Sequence, residues 1–261
     1  MNDIFDIEHT QADLIFENDI FPCISKKALP ELQKKAYIVG GQPGSGKSAF
    51  AAHLIQGNTG VVFINGDDLR GYHPNYVTYL KTDDEHAADK TQAVCNYWIE
   101  KSIGKCIAMD FSFIVEGTMR TEQAPLQTAT IAKDAGYDVY GCALSTPYAL
   151  SLASTVFRYT ETKKKEGSAR YTKRKSHDEA YDNLSQTVER LLMSKLFDEF
   201  FIYERLDGVF RENKFSLLDS KVILPILERG RIRALTGREL EFTKINVSLE
   251  TPSLLPKIQN K

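Results

Sequence analysis

The sequence predicts an α/β domain in which a mostly parallel sheet is wrapped by helices. Two observations carry this. Short apolar or β-branched runs recur at Tyr37-Ile38-Val39, Val61-Val62-Phe63-Ile64, Phe111-Ser112-Phe113-Ile114-Val115 and Tyr137-Asp138-Val139-Tyr140, each separated from the next by a helix-length segment. The first run is followed at once by Gly41-Gln42-Pro43-Gly44-Ser45-Gly46-Lys47-Ser48, which fits G-x-x-x-x-G-K-[ST] between a predicted strand and a predicted helix.

Each element follows in order. Residues 8 to 30 place Leu14, Ile15, Ile20 and Phe21 at helical spacing before Pro30, so residues 1–35 read as a helical preface. A domain over 36–240 follows. Beyond the fourth strand, 147–166 reads as a long helix, and the charged stretch Lys163-Lys164-Lys165-Glu166-Gly167-Ser168-Ala169-Arg170 reads as a mobile flap in a helical lid spanning about 158–178. A helix from about 178 to 195, an apolar run at Phe200-Phe201-Ile202-Tyr203 and an amphipathic segment over 220–229 close the domain. Residues 241–261, polar and aperiodic with two prolines, read as a weakly ordered tail.

With 261 residues, 42% of them hydrophobic, the chain can bury a full core as one elaborated domain. Its formal net charge of -2 gives no global attraction to nucleic acid or an anionic membrane, so any anion must be captured locally. Cys23, Cys95, Cys106 and Cys142 lack metal-ligand spacing and read as small buried thiols. The acidic start of the chain is unlike a secretory signal, and no apolar run approaches bilayer length. The cytoplasm is the expected compartment.

The chemistry concentrates at strand ends. In Gly41 to Ser48, glycines let successive N–H groups curl around phosphate oxygens, and the following helix adds the positive end of its dipole. Lys47 would neutralise β- and γ-phosphate charge of ATP, and Ser48 would place its hydroxyl on Mg²⁺. The second strand ends in Asn65-Gly66-Asp67-Asp68. There Asp67 reads as a base for a substrate hydroxyl or as a turn aspartate capping the next helix. The third ends in Val115-Glu116-Gly117-Thr118-Met119-Arg120, where Glu116 could hold a metal-bound water or a hydroxyl and Arg120 a substrate phosphate. Arg158 and Arg170 suit a lid that brings cations over a transferring γ-phosphate, or a solvated basic face. The basic cluster Lys173-Arg174-Lys175 has no aromatic interleaving and reads as lid or surface, with no nucleic-acid role. His73 and His177 read as structural.

Taken together these residues resemble the zeta toxins of epsilon/zeta toxin-antitoxin systems. The resemblance runs from about 36 to about 239 through the P-loop, Ile64-Asn65-Gly66-Asp67-Asp68-Leu69-Arg70, His73-Pro74-Asn75-Tyr76, Glu116-Gly117-Thr118-Met119-Arg120-Thr121, Arg158-Tyr159, Ala169-Arg170 and His177-Asp178. It implies a P-loop NTPase-type kinase that spends ATP on the 3′-hydroxyl of the sugar of UDP-N-acetylglucosamine and has an antitoxin partner. It further implies Asp67 as general base and Lys47, Arg158 and Arg170 as phosphate-stabilising cations. Glu100, Glu116, Thr118, Arg120 and Thr128 would form the substrate-binding set. The sequence departs from the family in its second carboxylate, Asp68, where members usually carry a small polar residue, and in its lysine-rich lid. Two other readings stand beside this one: a P-loop kinase of another nucleotide-sugar, nucleotide or polynucleotide, and an ATP-binding switch that transfers nothing.

Overall fold

The computed structural model describes residues 6–57 and 60–248. Six strands form one sheet: β1 Lys35–Gly40, β2 Val62–Asn65, β3 Phe113–Glu116, β4 Asp138–Ser145, β5 Glu199–Leu206 and β6 Val209–Phe215. Their spatial order is β2-β3-β1-β4-β5-β6, parallel throughout except for the antiparallel β5–β6 pair. β1 therefore lies between β3 and β4, where the order of strands reverses, and the crevice at its carboxyl end is where such sheets bind ligands.

Side chains alternate across the sheet with the period of two that a strand imposes. Ala36 and Ile38 of β1 join the larger core with Trp98, Phe113, Leu184 and Phe200. Tyr37 and Val39 join the smaller one with Phe50, Ile114, Leu144 and Tyr203. Helices Gln92–Ala108, Gln123–Asp134, Arg174–Met193 and Ser220–Ile232 supply the first, and helix Lys47–Gly57 supplies Phe50 to the second. The preface folds as helix His9–Ile15, continued by a π-helical stretch Phe16–Ile20 and a last turn Phe21–Ile24; it buries Phe16 and Ile20.

Five features differ from the sequence reading. The lysines at 163–165 are not in a flap: helix Tyr148–Glu166 runs through them and ends on Gly167, whose φ of 77° supplies the left-handed C-cap. Three cations in the last turn face the negative end of the helix dipole, which offsets their mutual repulsion. The next helix begins at Arg174, ahead of the expected 178.

The apolar run at 200–203 is the centre of β5, and the sequence reading missed its partner β6. The connection Asp207-Gly208 has φ values of 49° and 82°, the two-residue turn that Asp-Gly favours in hairpins. Helix Gly237–Ser248 extends beyond the expected boundary at 240; the remainder of the expected tail, from 249, lies outside the described residues. A reciprocal cap starts this helix: Thr236 Oγ1 accepts from Glu239 N (3.2 Å) and Glu239 Oε2 accepts from Thr236 N (3.1 Å). Finally, Cys95, Cys106 and Cys142 are buried, but Cys23 is exposed.

Candidate active site

The phosphate-binding loop owes its shape to glycine. Gly44 (φ 76°) and Gly46 (φ 102°) occupy the left-handed region, and a Cβ on Gly44 would collide with the carbonyl oxygen of Ser151 in helix Tyr148–Glu166. The loop thus packs tightly under that helix while its amides stay free to curl. Lys47, at the start of helix Lys47–Gly57, is buried and donates to the carbonyls of Gly41 (2.8 Å) and Gln42 (3.1 Å). Burial pushes its ammonium down from the usual lysine range, against the pull of Glu116 and Asp67. Among the described residues no carboxylate lies within ion-pair distance of it. Ser45 Oγ in the same loop is buried without a hydrogen-bond partner. A buried cation without a carboxylate, an unsatisfied hydroxyl and a glycine cradle are what the phosphates of a nucleoside triphosphate require.

Opposite the loop stands Asp67. Its turn follows β2 directly, and Asn65 fixes the turn by accepting from Asp67 N through its side chain at 2.9 Å. The carboxylate meets Arg170 Nη2 at 2.7 Å and Arg70 Nε at 3.6 Å. Burial alone would raise its pKa, but Arg170, Arg70, Arg158 and Lys47 together hold it below the ordinary carboxylate range. Asp67 is therefore held as an ionised carboxylate. Arg70, named in the sequence only as part of a motif, is buried and donates to Ala88 O, Thr91 Oγ1 and Gln92 Oε1 at 2.6, 2.8 and 2.6 Å. It anchors the turn that carries Asp67 to the start of helix Gln92–Ala108.

Glu116, at the carboxyl end of β3, accepts from Ser48 Oγ at 3.3 Å. Burial pushes its carboxyl up, with Lys47 opposing and the charge of Asp67 adding to the rise. Arg158 reaches Thr172 Oγ1 at 3.2 Å, and its charge is felt by Lys47, Asp67 and Arg170. Lys47, Ser48, Asp67, Glu116, Arg158 and Arg170 thus converge on one crevice.

The remaining expected residues differ. Thr118 is exposed in the loop after β3, and Arg120 in the same loop pairs with Glu179 at 3.3 Å on helix Arg174–Met193. Thr128 is buried and donates to Ala124 O of its own helix at 3.0 Å. Glu100 is exposed on helix Gln92–Ala108, and among the described residues no hydrogen bond or ion pair ties it to the crevice. The sequence reading missed Arg205, at the end of β5, which donates to Gly44 O (3.0 Å) and Ser154 Oγ (3.2 Å) and so clamps the loop from the other side. No motif marked it; only its place after an apolar strand run could have.

The family model for zeta toxin matches residues 23–222. The chain belongs to the zeta toxin family. It is 31% identical to toxin zeta of Enterococcus hirae over 213 residues, 80% of this chain and 73% of that protein. It is also 31% identical over 179 residues to toxin PezT of Streptococcus pneumoniae serotype 4, 66% of this chain and 69% of the relative. A solved structure from work on the PezAT chromosomal toxin-antitoxin system of Streptococcus pneumoniae superposes with a TM-score of 0.75 at 23% identity, covering 98% of this chain and 100% of the other. AvrRxo1-ORF1:-ORF2 with ATP gives 0.53 at 12%, covering 87% and 73%. These two likenesses show a shared P-loop kinase-type fold. Among the described residues, no helix of this zeta-family chain is long and apolar enough to cross a membrane, and no group of three or more His, Cys, Asp or Glu stands ready to hold a metal by itself.

Proposed function

We propose that this zeta-family protein is an ATP-dependent kinase that phosphorylates the 3′-hydroxyl of the sugar of UDP-N-acetylglucosamine, acts as the toxin of a toxin-antitoxin pair, and is held in check by an antitoxin protein. One observation carries the reading: an ionised carboxylate, Asp67, faces the phosphate-binding loop across a crevice lined by Lys47, Arg158 and Arg170. A switch that only senses ATP has no use for a base so placed.

The chemistry follows from the groups. Gly41, Gln42, Pro43, Gly44, Ser45, Gly46, Lys47 and Ser48 hold the triphosphate, and Asp67 accepts the proton of the acceptor hydroxyl as it attacks. Charge that spreads over the γ-phosphoryl oxygens is met by Lys47, Arg158 and Arg170. Arg170 leaves Asp67 for that purpose, which frees the carboxylate at the moment it is needed. The Ser48 hydroxyl would hold Mg²⁺, which would supply positive charge to the triphosphate. Glu116, Thr118, Arg120, Thr128 and Glu100 form the substrate-binding set, as the family resemblance has it.

A second reading keeps the chemistry and changes the acceptor to another nucleotide-sugar, a nucleotide or a polynucleotide end. Asp68 favours it: it sets a second carboxyl beside Asp67, raised by partial burial and by the charge of Asp67, where small polar residues are usual. The protein is incubated with ATP, Mg²⁺ and a panel of nucleotide-sugars and nucleotides, and products are weighed by mass spectrometry. One added phosphate on UDP-N-acetylglucosamine supports the first reading, on another compound the second. ATP consumption unaffected by every acceptor refutes both.

A further inference from the structure

We propose that Ser151 and His177 are positioning residues for the phosphate-binding loop, acting through a buried hydrogen-bond chain that runs from Asp178 through His177 and Ser151 to Gln42. The proposal rests on the kinase reading above and deepens it. His177 Nδ1 lies 3.1 Å from Asp178 Oδ1, His177 Nε2 lies 2.9 Å from Ser151 Oγ, and Gln42 Nε2 lies 3.3 Å from Ser151 Oγ and 2.9 Å from Thr146 O. Gln42, Ser151 and His177 are fully buried. No water can substitute freely for a lost link there, so each donor needs its acceptor.

The direction of the chain follows from its outer end. Asp178 accepts from Tyr148 OH (2.8 Å) and Arg174 Nε (3.2 Å), and these partners with His177 overcome burial to hold its carboxyl low. An ionised Asp178 offers only lone pairs, so Nδ1 of His177 carries the ring proton. Nε2 then accepts from the Ser151 hydroxyl, and Ser151 in turn accepts from the Gln42 amide. The groups facing the ring are Asp178, Arg174, Tyr148 and, from the loop, Lys47. Burial keeps the ring neutral against the pull of Asp178, with Arg174 and Lys47 assisting. A protonated ring would donate to Ser151 and turn its hydroxyl to Tyr148 O, 2.9 Å away.

The inner end makes the chain more than packing. The carbonyl of Gln42 receives the Lys47 ammonium, and Gly44 packs so near Ser151 O in the lid helix that a Cβ there would collide with it. Ser151 lies seven residues, two helical turns, before Arg158 and on the same helix face. His177 lies on the helix that begins just after the Arg170 loop. The chain therefore sets both arginines relative to the loop lysine. Misplacement of about 1 Å in such an array can lower turnover by up to 10².

The test uses the full chain labelled with ¹⁵N-histidine, the His177 resonances being assigned by their loss in His177→Gln. Imidazole NMR should show the neutral Nδ1–H tautomer persisting at about pH 6.5, where an ordinary histidine is half protonated. Asp178→Asn should convert it to the Nε2–H tautomer. Ser151→Ala should lower kcat about tenfold per site that binds a non-hydrolysable ATP analogue, with the melting temperature nearly kept, and Ser151→Ala with His177→Gln should be no worse than His177→Gln alone. A wild-type Nε2–H tautomer, or kcat per nucleotide-binding site unchanged in Ser151→Ala, overturns the proposal. If the wild type phosphorylates nothing, the kinase reading fails on its own account. The chain is then decided by the tautomer and by whether Ser151→Ala weakens analogue binding at least threefold.

Discussion

At the scale of single residues, the ion pair between Arg170 and Asp67 at 2.7 Å joins the two groups to which the proposed function gives the roles of cation and base. Asp67→Asn keeps the shape and removes proton acceptance, so kcat should fall by roughly 10² to 10⁴ with ATP binding largely kept. Arg170→Ala has a second signature. It removes the largest of the charges that hold the Asp67 carboxyl down, so the acid limb of kcat/KM should move to higher pH; a limb that stays in place would separate Asp67 from the chemistry.

Glu116 behaves in the opposite sense. Its folded carboxyl is raised, so folding favours its protonated form: stability is highest below the unfolded carboxylate range and is lost as pH rises through the folded pKa. Glu116→Gln should therefore raise the melting temperature at pH 8 and leave it unchanged near pH 3, while activity falls. Thermal melts at the two pH values check the sign, and a destabilised variant at pH 8 would show that the charge is better accommodated than its burial suggests.

Among elements, the lid is where the sequence was least legible. The charge of Lys163-Lys164-Lys165 reads as a flap at the end of the expected helix 147–166, whereas the helix dipole and partners distant in sequence keep the run helical. Lys163 in fact meets Asp84 Oδ2 at 2.7 Å, beside Tyr159 OH, which donates to the same oxygen at 2.6 Å. Lys164 and Lys165 are exposed. Arg158→Ala or Arg170→Ala should lower kcat far more than it raises KM for ATP, and the pair should be non-additive because both act on one phosphoryl group. Neutralising Lys164 and Lys165 should change little. Lys163→Ala should have a small effect that fades with salt, since exposed ion pairs contribute little and are screened. A triple-lysine variant slower than Arg170→Ala would move the cationic role to the lysine run.

Elsewhere among the elements, legibility followed the range of the signal. β1 to β4 and the P-loop declare themselves through local patterns. The Asp207-Gly208 hairpin and the Thr236/Glu239 cap were equally local, but they were passed over because β6 is half-exposed and its apolar alternation is weak. Asp67 and Glu116 were found from strand ends alone. Arg70, His177 and Arg205 act through partners distant in sequence, and no local pattern encodes such contacts.

For the whole molecule, the strands bring residues 47, 67 and 116 to one sheet edge, while helix Tyr148–Glu166 and the loop after it bring 158 and 170 to the same crevice. With a net charge of only -2, attraction for an anionic substrate arises in this crevice and not from the surface at large. The last prediction tests that concentration of function in a living cell. If the protein depletes a nucleotide-sugar needed for the cell wall, bacteria expressing it without a partner should stop growing and then lyse, and extracts should contain the phosphorylated sugar. Lys47→Ala should abolish both effects. The variant should still fold, because Lys47 makes its hydrogen bonds only to carbonyls of its own loop and its removal relieves a buried charge that burial disfavours. Circular dichroism and soluble yield establish the fold, and mass spectrometry of extracts establishes the product. Arrest that persists in folded Lys47→Ala, with no phosphorylated sugar in either strain, would place toxicity outside the phosphate-binding loop and overturn phosphotransfer as its cause.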